Sequence, residues 1–235
     1  LLTTAAHMRE RAIDVVLSLL LAREVHPEGS LAEISKRLGP VRAKGTQELV
    51  EAARALHAAQ RIPLAQLAMP ALKRRPASEL RLLMDTIDTL IHSDGRVDVF
   101  EYVLARLLRQ QMSESLEPNQ HRGGRRKLPE LRQQALSLLA VLALHGHEQV
   151  DNARRAYLAG AEILFPAAAE SYGAPGNWIE LLDQGLPALD ELVPAGKETL
   201  VLALATTVGY DGQISTTEAE LLRLVCTLLH FPLPP

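Results

Sequence analysis

Apolar residues recur along most of this chain at the three- and four-residue spacing of an α-helix. Between positions 80 and 91 they stand at i, i+3, i+4, i+7, i+10 and i+11, which places them on one face of a helix. No stretch alternates apolar and polar residues over enough positions to predict a β-strand. The pattern therefore predicts an all-α fold of about ten to eleven helices. We expect them near residues 5–24, 30–38, 46–60, 63–74, 77–92, 98–112, 129–146, 149–164, 177–193, 195–209 and 215–229.

One part of this pattern occurs twice. Residues 90–101 read Leu-Ile-His-Ser-Asp-Gly-Arg-Val-Asp-Val-Phe-Glu, and residues 207–218, which begin 117 positions later, read Thr-Val-Gly-Tyr-Asp-Gly-Gln-Ile-Ser-Thr-Thr-Glu. The same offset of 117 relates the Pro-Ala-Leu at 70–72 to the Pro-Ala-Leu at 187–189. The chain therefore reads as a tandem duplication of one helical unit, and we expect the two copies to form a pseudo-two-fold bundle.

The repeats suggest where the chain divides. We place a first helical repeat at 1–116, a basic loop at 117–128 and a second helical repeat at 129–235. The loop contains a proline, paired glycines and a dense run of charges, which are typical of a connection between helices. A weaker match at an offset of 123, between 11–13 and 134–136, carries the duplication back towards the start of each half. Because the helices on both sides of the loop are apolar, we expect one compact domain.

The two Asp-Gly motifs resemble the second half of an EF-hand calcium loop, with a glutamate at its last position. Calcium also needs oxygen ligands at the first and third loop positions, where this chain has Leu90 and His92 in one copy and Thr207 and Gly209 in the other. High-affinity calcium binding is therefore not expected. A weak divalent-metal site remains the alternative interpretation, and its candidate ligands are Asp94, Asp98, Glu101, Asp211 and Glu218.

A structural role explains the same residues more fully. Asp-Gly favours a tight turn, since glycine adopts positive φ without strain. Asp98 and Ser215 then stand at the N-caps of the next helices, and Glu101 and Glu218 follow three residues later, which is the spacing of a capping box. We expect each box to stabilise its helix by about 1 kcal/mol.

Further residues predict how helices begin. Asn177 and Glu180 also have capping-box spacing, at the start of an apolar helix face. Val97 and Ile214 each precede a predicted cap, and we expect both to pack as hydrophobic staples.

The segment His145-Gly146-His147-Glu148 suggests a metal site at first sight. The zinc-peptidase motif His-Glu-x-x-His needs a second histidine four residues after the first, and this chain has Asp151 there. The segment is better explained as a helix C-terminus that stops at Gly146, with imidazoles near the negative end of the helix dipole.

Composition excludes several classes of protein. The chain has 47% hydrophobic and 23% charged residues, as expected of a globular protein, and a net charge of −3 argues against a general nucleic-acid binder. Its one cysteine, Cys226, cannot support a disulfide framework or a cysteine-based zinc cage, and its apolar neighbours predict a buried thiol. No apolar stretch approaches the ~20 residues that cross a bilayer. Because the first residue is Leu1, we expect the chain to be a piece of a longer protein.

The basic loop has one alternative use. Its cations are most simply solvated, but they could contact anionic lipid headgroups if a neighbouring segment held the chain at a membrane. These residues are Arg122, Arg125, Arg126 and Lys127. The sequence has no recognisable serine–histidine–aspartate set and no phosphate-binding glycine loop. It also has no close pair of carboxylates in an apolar context, so catalysis by this segment is not expected.

Two motifs carry a family resemblance. The stretches 92–102 and 210–222 resemble the Asp-Gly turn of the tellurite-resistance TerB-like helical fold, and the closing stretch 218–235 resembles the end of bacterial membrane zinc metallopeptidases of the HtpX type. The resemblance covers roughly 60–235. It implies a TerB-like bundle that follows a peptidase domain on the cytoplasmic side of a bacterial inner membrane. The zinc and its ligands would lie in that peptidase domain, so no catalytic residue and no cofactor are carried over to this chain.

Three functional hypotheses follow. The first is a non-catalytic accessory domain that regulates the peptidase domain of the same protein, or recruits a substrate or another protein partner. The second is a stand-alone TerB-like module that binds divalent metal weakly through its Asp-Gly turns. The third is a helical scaffold that forms a homo-oligomer through an apolar helix face.

Overall fold

The computed structural model describes residues 1–93, 96–116, 124–166 and 171–233. Over these ranges the chain forms twelve α-helices and one short 3-10 helix, and no β-strand. The predicted all-α fold is confirmed. None of the helices in the described ranges has both the length and the apolar character that a membrane crossing requires.

The chain divides into two compact units, Leu1–Gln120 (unit 1) and His121–Pro235 (unit 2). The helices of unit 1 are α1 Leu2–His7, α2 Ala12–Leu21, α3 Glu28–Leu38, α4 Pro40–Arg54, α5 Ala58–Leu72, α6 Ala77–Ile91 and α7 Val99–Leu116. In unit 2 the 3-10 helix Leu128–Leu131 is followed by α8 Arg132–Gly146, α9 Val150–Leu164, α10 Trp178–Asp190, α11 Pro194–Val208 and α12 Thr216–Leu228.

Helix α2 is the centre of unit 1, and all ten of its residues are buried. It packs against α1, α4, α5 and α6, while α3 packs against α4 and α6, and α7 packs against α5 and α6. Eight of its ten residues are apolar, and they occur on every side of the helix, so any exposed face would leave apolar surface in water. This packing brings the C-terminus of α2 to the side of unit 1 where α3 and α7 begin.

Helix α8 has the corresponding place in unit 2. It packs against α9, α10, α11 and α12, and α9 lies against α11. Its buried residues are Ala135 and the uninterrupted run from Leu138 to Ala143. The C-terminus of α8 therefore meets the start of α12, as the C-terminus of α2 meets the start of α7 in unit 1.

The helix boundaries keep the sequence repeat. Helix α6 covers residues 77–91 and α11 covers residues 194–208, so both ends are 117 positions apart. Helix α7 begins at 99 and α12 begins at 216, again 117 positions later. The offset read from the Asp-Gly motifs thus holds in the helices on both sides of each motif.

The predicted boundaries are less accurate before residue 60. The single helix expected at 5–24 is two helices, because the backbone at Met8 is extended (φ −84°, ψ 123°) and α1 packs on α5. The helix expected at 46–60 begins at Pro40, directly after Gly39 (φ 91°). Pro40 has no N–H to leave unpaired at a helix start, and Gly39 adopts the positive φ that ends α3.

A buried carboxylate joins α2 to α4 in unit 1. Asp14, 3% exposed, lies 3.2 Å from Arg11 Nε and 3.1 Å from Arg42 Nη1. A Cβ added to Gly45 of α4 would lie 2.5 Å from Asp14 Oδ2, so a side chain at position 45 would displace this carboxylate. Burial raises the pKa of Asp14, and the nearby Arg42 and Arg11 partly offset that rise.

A glycine also allows a close helix contact in unit 2. A Cβ added to Gly160 of α9 would meet the Oγ1 of Thr207 and lie 2.9 Å from the backbone carbonyl oxygen of Ala203, both on α11. Gly160 is buried, and the absence of a side chain lets the two helix backbones lie side by side.

Candidate functional site

The turn before α7 in unit 1 ends in a capping box. The Asp98 N–H donates to Glu101 Oε2 over 3.0 Å, and the Glu101 N–H donates to Asp98 Oδ1 over 2.9 Å. Two backbone N–H groups that have no partner inside the helix are satisfied in this way. The prediction that these residues start a helix is confirmed.

The turn before α12 in unit 2 has the same capping bonds. The Ser215 N–H donates to Glu218 Oε2 over 2.9 Å, and the Glu218 N–H donates to Ser215 Oγ over 3.2 Å. Before the cap, Asp211 Oδ1 accepts the Gln213 N–H at 3.0 Å, and Gly212 has a φ of 77°. The predicted turn, with glycine at positive φ, is confirmed in this copy.

An open cleft lies beside the capping box of unit 1. Its volume is about 610 Å³, within the range of small-molecule and short-peptide sites. It lies where α2 and α6 end and where α3 and α7 begin. The lining residues, which define the unit 1 cleft, are Arg23, Glu24, Val25, His26, Gly29, Ser30, Leu90, Ser93, Arg96, Val97, Asp98 and Glu101.

Arg23 is held in a fixed position at this cleft. Its Nε lies 2.6 Å from Asp98 Oδ2, and its guanidinium carbon lies 5.7 Å from the ring centroid of Phe100. The ion pair and the cation–π contact together orient the guanidinium plane. Since the side chain remains 41% exposed, its outer face is open to a ligand.

Glu24, the acidic residue next to Arg23, accepts hydrogen bonds within unit 1. Both carboxylate oxygens of Glu24 accept from Ser30 Oγ, at 2.8 and 2.9 Å. Ser30 belongs to the first turn of α3, which has no side-chain hydrogen bond at its N-cap. A Cβ added to Gly29 in the same turn would meet no atom within 4 Å, so open space borders this helix start.

The capping glutamate of unit 2 has a different environment. Glu218 is 2% exposed, and its Oε1 lies 4.0 Å from Nδ1 of His147, which is 8% exposed. This separation is too long for a hydrogen bond. Within the described part of unit 2, neither ring nitrogen of His147 has a hydrogen-bond partner. The position that is an open cleft in unit 1 therefore holds a buried histidine–glutamate pair in unit 2.

Gly146 makes this burial possible. A Cβ on Gly146 would lie 2.6 Å from Cδ of Glu218, so the carboxylate rests directly on the backbone at the end of α8. Helix α8 ends at Gly146 as predicted, but His147 then turns inwards with an extended backbone (φ −129°, ψ 124°). The sequence interpretation placed both imidazoles near a helix dipole and missed this burial.

His145 packs on the other side of the same helix end. Its ring meets the edge of Trp178, with centroids 4.8 Å apart and an interplanar angle of 76°. Burial lowers the pKa of His145, because an imidazolium loses hydration there without gaining a counter-charge.

The predicted metal ligands do not form one cluster in the described residues. Asp98 and Glu101 cap α7, Asp211 closes its own turn, and Glu218 is buried under α8; Asp94 and Gly95 lie outside the described residues. Over the ranges given above, no group of three or more His, Cys, Asp or Glu side chains is placed to hold a metal ion. Weak metal binding stays a prediction.

Two smaller predictions have opposite outcomes. The Glu180 N–H donates to Asn177 Oδ1 over 3.2 Å, which confirms the predicted cap of α10. Ile214 is 65% exposed, so the hydrophobic staple expected before α12 is wrong. The residue it would pack on, Ala219, is itself exposed and too small to cover it.

The described part of the basic loop is tied to unit 2. The Arg126 N–H donates to the Glu191 carbonyl over 2.9 Å, and the Val193 N–H donates to the Arg126 carbonyl over 2.9 Å. Arg125 and Lys127 are exposed, while Arg122 lies outside the described residues. Contact of these cations with lipid headgroups stays a prediction.

Cys226 is a buried core residue, as predicted. It is 1% exposed, and burial raises its pKa to about 11. A thiol with this pKa is almost entirely protonated at neutral pH and therefore reacts slowly.

Comparisons with protein-family models, with curated proteins and with solved structures find no match to this chain. The site must therefore be interpreted from its own geometry.

Proposed function

We propose that this chain is a non-catalytic helical interaction domain, and that the unit 1 cleft binds a segment of its partner. The observation that supports this most directly is the open cleft of about 610 Å³ beside an oriented arginine. A cleft of this size accepts a few residues of an extended peptide.

Unit 2 supports the same proposal by contrast. At the matching place, between the end of the central helix and the start of the last helix, Glu218 and His147 are both buried. The unit 1 box borders open space that a partner segment can enter, whereas the capping glutamate of unit 2 is enclosed. We assign partner binding to unit 1 and a structural role to this part of unit 2.

The family resemblance suggests which protein is the partner. We propose the zinc-peptidase domain of a bacterial membrane metallopeptidase of the HtpX type, in the same chain or a neighbouring one, on the cytoplasmic side of the inner membrane. The zinc would lie in that domain, and this chain would regulate it or recruit its substrates.

Site-specific photo-crosslinking tests the proposal. The protein is expressed in its native cells with a photoreactive amino acid in place of Val25. This residue lines the cleft and is 82% exposed. The control position is Val41 on α4 of the same unit, which is 81% exposed and does not line the cleft. Mass spectrometry then locates the linked residues.

We expect links from position 25 to a segment of a zinc-peptidase domain, and no such links from position 41. Equal links from both positions, or links from position 25 only to residues within 1–235, would contradict the proposed function.

A further inference from the structure

A groove on the surface of unit 2 lies between α8, α9 and the segment that precedes α10. Its volume is about 390 Å³, towards the lower end of the range for small-molecule sites. The residues that define this unit 2 groove include Arg132, Leu136, Ser137, Ala140, Tyr157 and Ser171. The first four belong to α8 and Tyr157 belongs to α9, so two packed helices form most of its surface.

Tyr157 brings a hydroxyl group to this groove. The residue is only 4% exposed, and its ring lies against that of Tyr172, with centroids 5.3 Å apart. Within the described residues, the Tyr157 hydroxyl has no hydrogen-bond partner. Buried polar groups in proteins are normally hydrogen-bonded, so a buried tyrosine whose hydroxyl lacks a partner beside a cavity indicates that something in the cavity binds it.

A second hydroxyl in the groove is in the same condition. Ser137 lies on the face of α8 that lines the groove, and in the described part of unit 2 its Oγ also has no hydrogen-bond partner. Hydroxyls inside a helix often donate to the carbonyl oxygen four residues back, as those of Thr199 and Thr206 do over 2.9 and 3.0 Å. Two hydroxyl groups from neighbouring helices can therefore bind one ligand.

Arg132 gives the groove a positive charge. Its guanidinium carbon lies 4.1 Å from the ring centroid of Phe165, and this cation–π contact orients the group. Burial raises the pKa of Tyr157, and the charge of Arg132 partly offsets that rise, so the charge acts on the tyrosine hydroxyl. None of the described residues that line the groove is an aspartate or a glutamate. This lining favours an anion.

The apolar lining limits the rest of the ligand. Leu136 and Ala140 stand four residues apart on α8 and both line the groove. A short apolar or aromatic body covers them while its charged group reaches Arg132 and Tyr157. Because one cation lines the described part of the groove, an anion with one charge matches it better than a dianion such as a phosphate monoester.

From these observations we propose that the unit 2 groove binds a small organic carboxylate. The hydroxyls of Tyr157 and Ser137 donate to the carboxylate oxygens, and Arg132 balances the negative charge. Leu136 and Ala140 contact the apolar body. Hydrogen bonds from a hydroxyl to a charged oxygen are stronger than those to a neutral one, which favours a carboxylate over an amide. This site does not rest on the proposed function, because it lies in unit 2 and needs no protein partner.

A nuclear magnetic resonance titration of the whole 235-residue chain tests the proposal. Benzoate and butyrate each present one carboxylate on an apolar body. Benzamide has the shape of benzoate without its charge, and phenyl phosphate presents a phosphate monoester on the same ring. The signals followed are the backbone amides of Ser137 and Ser171 and the ring protons of Tyr157.

We expect both carboxylates to shift these signals, and benzoate to bind about tenfold or more tightly than benzamide. Equal binding of benzamide, or tighter binding of phenyl phosphate, would overturn the choice of a carboxylate. No binding of either carboxylate at about 10 mM would mean that the two hydroxyls contact only water, and would overturn the site itself.

Tyr157→Phe tests the hydroxyl without removing the ring. Because the hydroxyl has no partner in the described residues, the free energy of unfolding should hardly change, while benzoate binding should weaken about tenfold. The matched control is Tyr172→Phe, which removes the hydroxyl of the neighbouring ring; Tyr172 is not among the described residues that line the groove. Unchanged binding in Tyr157→Phe, or an equal loss in Tyr172→Phe, would overturn the role of Tyr157.

Arg132→Gln tests the charge. It should weaken benzoate binding about tenfold and leave benzamide binding unchanged, because only benzoate carries a charge. Arg155→Gln is the matched control, since Arg155 is exposed on α9 and is not among the described lining residues. Equal losses for benzoate and benzamide in Arg132→Gln would show that the substitution alters the shape of the groove, and would overturn the electrostatic role of Arg132.

The outcome is independent of the crosslinking experiment. Carboxylate binding in unit 2 without links from position 25 would keep the groove and reject the proposed partner. Links from position 25 without carboxylate binding would keep the partner and reject the groove.

Discussion

The starts of α7 and α12 have the same capping bonds, but they lie in opposite surroundings. In unit 1 the caps Asp98 and Glu101 border an open cleft, and Asp98 pairs with a partly exposed arginine. In unit 2 the matching Glu218 is buried against a histidine that has no hydrogen-bond partner in the described residues. Capping needs only local bonds, so the two copies could keep it while the surrounding surface diverged.

The residues at the ends of the two central helices differ. At the end of α2, Arg23 extends outwards and holds Asp98 at 2.6 Å. At the end of α8, Gly146 lets Glu218 approach the backbone, and His147 turns in behind it. At this place unit 1 has a partly exposed arginine that lines the cleft, whereas unit 2 has a glycine followed by a buried histidine.

The largest effect should come from the contact of α9 with α11 at Gly160 in unit 2. We expect Gly160→Ala to destabilise the chain by about 3 kcal/mol, because the new methyl group would overlap Thr207 and lie 2.9 Å from the Ala203 carbonyl oxygen on α11. Chemical denaturation followed by Trp178 fluorescence measures this, since the only tryptophan lies in unit 2.

The control for this substitution is Gly185→Ala on α10. Its Cβ would meet only the Cβ of Gln134, at 3.9 Å, which is an ordinary contact. We expect it to be neutral or to stabilise by up to about 1 kcal/mol, since alanine favours a helix more than glycine does. Similar losses in both variants would show that packing of α9 on α11 is not the cause.

The caps should give the next largest effect. Ser215→Ala should destabilise α12 by about 1 kcal/mol, and Asp98→Ala should destabilise α7 by about 1–2 kcal/mol because it also removes the partner of Arg23. Hydrogen exchange of the α7 and α12 amides measures each loss separately. Asp98→Asn keeps an oxygen at the cap and is the control; a loss as large as that of Asp98→Ala would contradict the capping role.

The sequence was sufficient to predict features that depend on residues close together along the chain. The caps of α7, α10 and α12 involve residues three positions apart, and the turn at Gly212 needs only the conformational freedom of glycine. Helical periodicity placed α6 within one residue of its observed end at Ile91. These features follow from local chemistry, which a single sequence contains.

The sequence was insufficient where structure depends on distant contacts. The break at Met8 occurs because α1 packs on α5, and nothing in the spacing of residues 5–24 reveals that contact. The pairs Arg23–Asp98 and His147–Glu218 join residues from opposite ends of their units. By contrast, the start of α4 was readable from Gly39-Pro40, because proline after a positive-φ glycine is a strong signal for a new helix.

Two groups affected by burial, one in each unit, should also contribute opposite pH dependences to stability. Burial lowers the pKa of His145 in the folded chain. As the pH falls through about 6.5, His145 is therefore protonated in the unfolded chain before it is protonated in the folded chain. This difference lowers the stability of unit 2 below that pH, until His145 of the folded chain is also protonated. The pKa of Asp14 is raised by burial, so folded unit 1 takes up that proton first and gains relative stability as the pH falls towards about 3.8.

His145→Phe isolates the effect in unit 2. The variant keeps an aromatic ring against Trp178 but cannot titrate, so the fall in stability between pH about 7.5 and about 5.5 should become smaller. Alkylation of buried Cys226 during denaturation reports opening of unit 2. His7→Phe, at an exposed position in unit 1, is the control, and an equal change in that variant would contradict the assignment to His145.

The smallest effect should be that of divalent metal, and it bears directly on the difference between the two turns. Asp98, Glu101 and Asp211 already accept hydrogen bonds from backbone N–H groups, and Glu218 is buried, so binding an ion would require breaking bonds that start a helix or close a turn. A site with Kd of about 1 mM would add only about 0.4 kcal/mol of stability in 1 mM calcium. Calorimetry with calcium, magnesium and zinc, repeated on Asp94→Ala and Asp211→Ala, measures the affinity for each metal. Tight binding that either variant abolishes would mean that the Asp-Gly turns bind a metal, and would make them the functional site in place of the cleft.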